Sequence, residues 1–193
     1  TRSPYPESIT VCQLKNDEQF EIGLRAVDKP VFIVGTMRSG TGFLGLELNK
    51  SDQLVGCPFE LRRIWSQIGH VSMASDMEGE DCPAFSAADI DRVPIEELKH
   101  AFTLEVIKNL GTKPLSQRLR FLNKNPHLCN KIELVHQLFP NATFIWTIRS
   151  MEDVVSSLKN LFQRDAMRRR RIQHAWPLPA SSNNARCFSV YRN

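Results

Sequence analysis

The chain has few cysteines and none in a metal-binding pattern. Cys12, Cys57, Cys82, Cys129 and Cys187 are widely spaced, and no C-x-x-C occurs. That spacing argues against the usual structural zinc modules. An odd, sparse set favours reduced thiols. No segment approaches the roughly 18 consecutive apolar residues of a membrane span. No secretory leader opens the sequence, although it starts at Thr1, so an upstream anchor stays open. There is no internal repeat. The body also lacks positive charge. The formal +4 is misleading, because residues 164–193 hold seven Arg and one Asp, leaving 18 Lys and Arg against 20 Asp and Glu elsewhere. No specific nucleic-acid partner is expected of that body. The basic run Arg168 to Arg171 reads as a solvated helix end or linker, or as a nonspecific phosphate contact.

The most informative absence is a single lysine. Residues 31–42 read Val-Phe-Ile-Val-Gly-Thr-Met-Arg-Ser-Gly-Thr-Gly, an apolar β-branched run ending in a tight loop. Gly35 and Gly40 keep the G-x-x-x-x-G spacing of a nucleotide phosphate loop. In an NTPase the next residues are Lys and then Ser or Thr; here they are Thr41 and Gly42. The loop's one cation is Arg38. Backbone N–H groups at a helix start cradle phosphate with or without the lysine. The loop is therefore expected to bind a phosphate group, but not as Mg²⁺-NTP. The plain alternative is an ordinary strand–helix turn.

A second segment repeats this grammar. Pro140 and Asn141 make a turn, Thr143 to Ile148 reads as a short buried strand, and Arg149 stands at its carboxyl end. An NTPase places a metal-holding acid near such a strand end. Ser150 is a candidate N-cap, with Asp153 three residues on. Ser157, eight residues after Arg149, lies about two turns into the following helix. It can share an anion with Arg149 only if that helix folds back beside the strand end. A forked guanidinium and a hydroxyl suit a phosphate monoester. Read alone, Arg149 is equally a surface ion pair and Ser157 a solvated position.

Together the two segments resemble the sulfotransferases that use 3′-phosphoadenosine 5′-phosphosulfate (PAPS). Gly-Thr-Met-Arg-Ser-Gly-Thr-Gly is similar to their 5′-phosphosulfate loop, and Arg149 with Ser157 to the Arg…Ser pair of their 3′-phosphate motif. Leu122-Asn-Lys124-Asn-Pro-His and Leu138-Phe-Pro-Asn-Ala-Thr-Phe-Ile resemble the branch containing tyrosylprotein sulfotransferases and related bacterial enzymes. Cys57-Pro-Phe-Glu60-Leu-Arg62 resembles that branch's C-G-E-E-T-R stretch. The likeness covers about residues 30–163. Met37 replaces a usual Pro, and Gly42 replaces a Thr whose hydroxyl touches the 5′-phosphate. The family's chains continue well past this motif, which implies a C-terminally shortened member.

The resemblance implies a P-loop-type three-layer α/β fold with a central parallel sheet. It implies sulfuryl transfer from PAPS to a hydroxyl acceptor (tyrosine, carbohydrate or small molecule) without a metal. Arg38, Glu60 and Lys124 become the catalytic candidates, with Glu60 as general base and the two cations on the sulfuryl oxygens. Arg38, Ser39, Gly40, Thr41, Gly42, Arg149 and Ser157 become the cofactor-binding candidates. Set against these roles, Glu60 reads as a helix N-terminal carboxylate, Lys124 as a solvated loop lysine, and Arg62 and Arg63 as a solvated helix face or a contact for an anionic acceptor. A non-catalytic 3′,5′-bisphosphate-binding or scaffold protein is the second reading. A P-loop kinase is disfavoured by Thr41-Gly42 and Arg149. The thiols favour the cytoplasm; a removed anchor would place the chain in the Golgi lumen.

Along the chain, residues 1–29 form an N-terminal extension with a short helix near Asp17 to Val27, residues 30–163 the nucleotide-binding domain, and residues 164–193 an irregular basic tail. Strands are expected at Val31 to Val34, Leu54 to Cys57 and Leu119 to Asn123, with Thr143 to Ile148 last. A helix from about Phe59 to Ile68 ends at Gly69 as a stop. Residues 71–92, with the acidic run Met-Glu-Gly-Glu-Asp, read as a loop or lid. Pro94 suits position N1 and Gly111 position C′ of a helix burying Leu98, Phe102, Val106 and Leu110. Leu128, Ile132, Val135 and Phe139 form one helical stripe, with His127 and His136 as capping or surface residues. Met151 to Gln163 is the last helix.

Overall fold

A computed structural model describes residues 7–57, 60–73, 85–114, 118–167, 175–177 and 187–189. Its centre is a four-stranded parallel sheet built from β1 (Val31–Gly35), β2 (Leu54–Gly56), β3 (Arg120–Lys124) and β4 (Thr143–Thr147), in the order β2-β3-β1-β4. All four strands fall within one or two residues of the expected ranges. Short β-branched runs bounded by turn residues suit strands of a parallel sheet, but only β1 is buried throughout; β4, expected to be buried, is an edge strand with Trp146 exposed.

Helices cover both faces. On one side lie α1 (Glu7–Asp28), α3 (Ile95–Asn109) and α4 (Ile132–Leu138), burying Ala26, Phe102 and Val135 against Phe32, Val34 and Phe121 of the sheet. Phe32 anchors this side, with rings of Trp65, Phe139 and Phe144 at 5.6–6.0 Å. On the other side α2 (Thr41–Leu48) sets Leu44 and Leu48 against Val31, Ile33 and Leu122. These are the three layers expected. α5 (Met151–Met167) follows β4.

Several local expectations are corrected. The N-terminal helix runs back to Glu7 and packs along α3. Pro94 is the N-cap of α3 rather than N1, whereas Gly111 takes the expected left-handed C′ position at φ +57°. The expected 59–68 helix begins outside the described residues, and its described part ends in a wide turn, Ile64–Ile68. Gly69 does not stop it by a left-handed turn; its φ is −79°, and His70 turns left-handed at +53°. Gly69 is needed for space instead, since a Cβ there would lie 2.9 Å from the Trp65 carbonyl oxygen. The single stripe at 128–139 is broken into a 3₁₀ turn (Pro126–Asn130) and α4, because Lys131 leaves helical geometry at φ −136°. Of the expected lid, residues 74–84 lie outside the described residues. Its far end is a 3₁₀ turn, Ala87–Arg92, closed by a Ser86–Asp89 capping box. The tail is not wholly irregular: Ala175–Pro177 pairs antiparallel with Cys187–Ser189. Arg168 to Arg171, Cys82 and the acidic run also lie outside the described residues.

Candidate active site

The sheet's register sets the site. Gly35 lies beside Thr147, so β1 and β4 end level with each other, and Ile33 lies beside Lys124 on β3. The loops that follow these three strands therefore share one carboxyl edge, where ligands of open α/β sheets collect.

The phosphate loop is held by contacts the sequence did not advertise. Gly35 has φ +148°, and a Cβ there would stand 2.3 Å from Thr147 Oγ1 and 2.6 Å from the Thr147 carbonyl oxygen. The Gly35 amide donates to Cys129 Sγ at 3.0 Å. Ser39 Oγ donates to the Thr36 carbonyl at 2.6 Å and lies 2.6 Å from Thr147 Oγ1. Its hydroxyl thus ties the loop to β4. Gly40 caps α2 at φ +100°, and Thr41 is buried at the helix start. The first amides of α2 have no partner within the helix and carry its positive end.

The two candidate anion-binding segments meet. Arg38, itself left-handed at φ +69°, donates from Nε to Ser157 Oγ at 3.0 Å. Arg149 Nη1 donates to the Arg38 carbonyl at 3.2 Å, and Arg149 also faces Asp153 at 3.5 Å. So α5 does fold back beside the end of β4, as a shared anion requires. Ser150 accepts from the Asp153 amide at 3.3 Å, the cap expected. Arg38 and the start of α2 come from the segment after β1, and Arg149 and Ser157 from the segment after β4, so donors from two segments converge at one edge of the sheet.

Glu60 and Lys124 form the second part of the site. Lys124 Nζ donates to Glu60 Oε1 at 2.5 Å. Arg62 donates to Oε2 from Nε at 2.9 Å and from Nη2 at 2.7 Å. The carboxylate side chain is 17% exposed, which puts this cluster well inside the surface but within reach of solvent. Burial pulls the Glu60 carboxyl upward; the Lys124 hydrogen bond and the charges of Lys124 and Arg62 outweigh it and leave it below the ordinary range. Glu60 does stand just before the helical turn that begins at Arg62, but its carboxylate is taken up by Lys124 and Arg62, and Lys124 is only partly solvated.

Asn125 and Thr147 belong to the site although no role was read for them in the sequence. Asn125 Nδ2 donates to the Glu60 carbonyl at 3.1 Å, and its Oδ1 caps the next turn by accepting from the His127 amide at 3.0 Å. The signal was the Asn-Pro pair directly after Lys124, since Asn favours caps and Pro favours the first turn. Thr147 carried no such signal.

His127 corrects an expectation. It is neither a cap nor a surface residue; it is 2% exposed, and its Nδ1 has no hydrogen-bond partner. Burial, and then the nearby Arg62 charge, push its pKa down to about 3, so it is neutral at ordinary pH. His136 is exposed as expected. Burial also raises Cys57 to about 12 and raises Cys129, which keeps both thiols protonated. Among the described residues, no group of three His, Cys, Asp or Glu side chains is placed to hold a metal ion, and no helix is long and apolar enough to cross a membrane.

A family model described as "Sulfotransferase family" matches residues 30–188. No curated protein and no solved structure matches the chain.

Proposed function

The chain belongs to the sulfotransferase family, and from that premise we propose that it transfers a sulfuryl group from PAPS to a hydroxyl acceptor. The observation that carries the donor assignment is the meeting of Arg38, Ser157 and Arg149, which joins the loop after β1 to the helix after β4. A 5′-phosphosulfate on the first and a 3′-phosphate on the second are two anions of one nucleotide.

The donor supplies an activated sulfuryl group on its 5′-phosphate. The chain's residues then divide the work. The amides of Gly40, Thr41 and Gly42 hold the 5′-phosphate at the start of α2. Ser39 braces the loop against β4. Arg149 and Ser157 hold the 3′-phosphate. Glu60 Oε1 takes the proton of the acceptor hydroxyl as the oxygen–sulfur bond forms. The sulfur–oxygen bond to the donor breaks, and its electron pair stays on the departing bisphosphate. Arg38 and Lys124 face the charge that gathers on the sulfuryl and bridging oxygens, the kind of fixed electrostatic help that dominates such transfers. A low carboxyl pKa makes Glu60 a weak base but keeps it ionised and ready.

Thermal-shift titration with adenosine 3′,5′-bisphosphate, with and without Mg²⁺, tests the donor assignment. Stabilisation independent of Mg²⁺ is expected. Stabilisation by Mg-ATP alone would point to a kinase instead, and no shift in any condition would sink the proposal. Labelled-sulfate transfer by the parent and by Glu60→Ala then tests the base; equal rates remove Glu60 from that role.

A further inference from the structure

Leu61 stands between Glu60 and Arg62 with φ +52°. Bulky L residues rarely adopt that conformation, and it is strained. Here the strained turn sits between a carboxylate and the guanidinium that returns to it. The Arg62 backbone is held as well, since Ser66 Oγ donates to its carbonyl at 2.8 Å.

The two cations divide the carboxylate. Arg62 places two N–H groups on Oε2, and Lys124 places its ammonium on Oε1. An oxygen that accepts from an ammonium is poorly placed to take a proton from an acceptor. Lys124 must therefore leave Oε1 when it turns to the charge on the donor. At that moment Asn125 still fixes the Glu60 backbone, but the carboxylate needs another anchor. The forked guanidinium can grip one oxygen with two donors and leave the other open, which an ammonium cannot do as well.

We propose that Arg62 is the positioning residue of the transfer site, holding Glu60 by Oε2 so that Oε1 faces the acceptor hydroxyl once Lys124 has moved to the donor. This rests on the sulfuryl-transfer reading. The charged and titratable groups acting on Glu60 are Lys124, Arg62 and the neutral His127.

The test is a carboxyl-carbon NMR titration of full-length protein carrying ¹³C-labelled Glu. Glu60 is assigned by loss of its signal in Glu60→Gln. Spectra are recorded for the parent, Arg62→Gln and Arg62→Lys, each alone and with saturating adenosine 3′,5′-bisphosphate. Arg62→Gln should raise the Glu60 titration midpoint in both states and broaden or split its signal when ligand is bound. Arg62→Lys should restore part of the midpoint but not the single sharp signal. A Glu60 midpoint and line shape unchanged in Arg62→Gln would overturn the proposal. So would full recovery of both by Arg62→Lys, because a plain point charge would then suffice. Calorimetry on the same samples keeps the two claims apart. If the parent fails to bind the bisphosphate, the donor reading falls, while the ligand-free titrations still judge the grip of Arg62 on Glu60. Bisphosphate affinity of Arg62→Gln should stay within about twofold of the parent, since the nucleotide donors lie on other segments.

Discussion

Gly35→Ala should damage the protein far more than its single methyl suggests. The added carbon would sit 2.6 Å from the Thr147 carbonyl oxygen, where 3.4 Å marks ordinary contact. The Thr147 hydroxyl, at 2.3 Å from that carbon, can rotate away; the carbonyl cannot move without carrying β4 with it. A φ of +148° is also closed to an alanine. The backbone strain costs about 1–3 kcal/mol and the forced separation about 1–3 kcal/mol more. Together they amount to about 2–6 kcal/mol out of the roughly 5–15 kcal/mol that holds an ordinary domain together. Urea unfolding reads this directly. With a slope of about 2 kcal/mol/M, the midpoint should fall by about 1–3 M. Gly42→Ala is the internal control, because it has nothing within 4 Å of its Cβ and an unexceptional φ. In a helix that change should gain about 0.5–1 kcal/mol. A Gly35→Ala protein with the parent's midpoint would refute the close approach of β1 and β4 on which the site geometry depends.

Two further outcomes are expected. Gly42→Thr has open space for its side chain and adds a hydroxyl at the start of α2. One new charge-assisted hydrogen bond should tighten adenosine 3′,5′-bisphosphate about tenfold by calorimetry, and an unchanged affinity would mean the phosphate sits elsewhere. His127 should make the fold acid-sensitive. Its folded pKa of about 3 lies below the ordinary 6.5, so from pH 6.5 downward the unfolded chain takes up a proton that the folded chain refuses. Stability from this residue is complete above that window and erodes toward pH 3, by about 1.5 kcal/mol between pH 6.5 and 5. His127→Gln should flatten that part of the stability profile, and an equally steep profile in the variant would show that the histidine is not held neutral.

The sheet was legible because each strand is a short, largely apolar run with turn residues close by; burial supports that reading for β1 and β3, while β4 lies at the edge with Trp146 exposed. The tight loop after β1 was legible because glycine spacing serves backbone geometry that few other residues can supply, and Arg149 because it directly follows a strand. Other parts turn on contacts between distant segments, and local pattern carries no trace of them. Nothing around His127 marks it as buried; the Asn125 cap and the Lys131 break fold it inward. Nothing marks Thr147 either, until β1 and β4 are set in register. The ion pairs of Glu60 depend on Leu61 adopting a conformation that its own side chain disfavours, and propensity argues against that. The stripe at 128–139 misled for a related reason: its apolar spacing fits one helix, yet the chain must turn at Lys131 to cover the sheet.

The hydrogen bond between Arg38 and Ser157 joins residues 119 positions apart. Such a contact belongs to the slow part of folding, because long loops must close before it can form. A partly folded chain therefore offers no complete seat for an anion that needs both residues. A ligand held there would leave the refolding rate nearly untouched and lower the unfolding rate instead. Its presence would be felt as lifetime: the nucleotide acts as a clasp on a finished molecule, and protein kept loaded would outlast empty protein against heat and proteolysis.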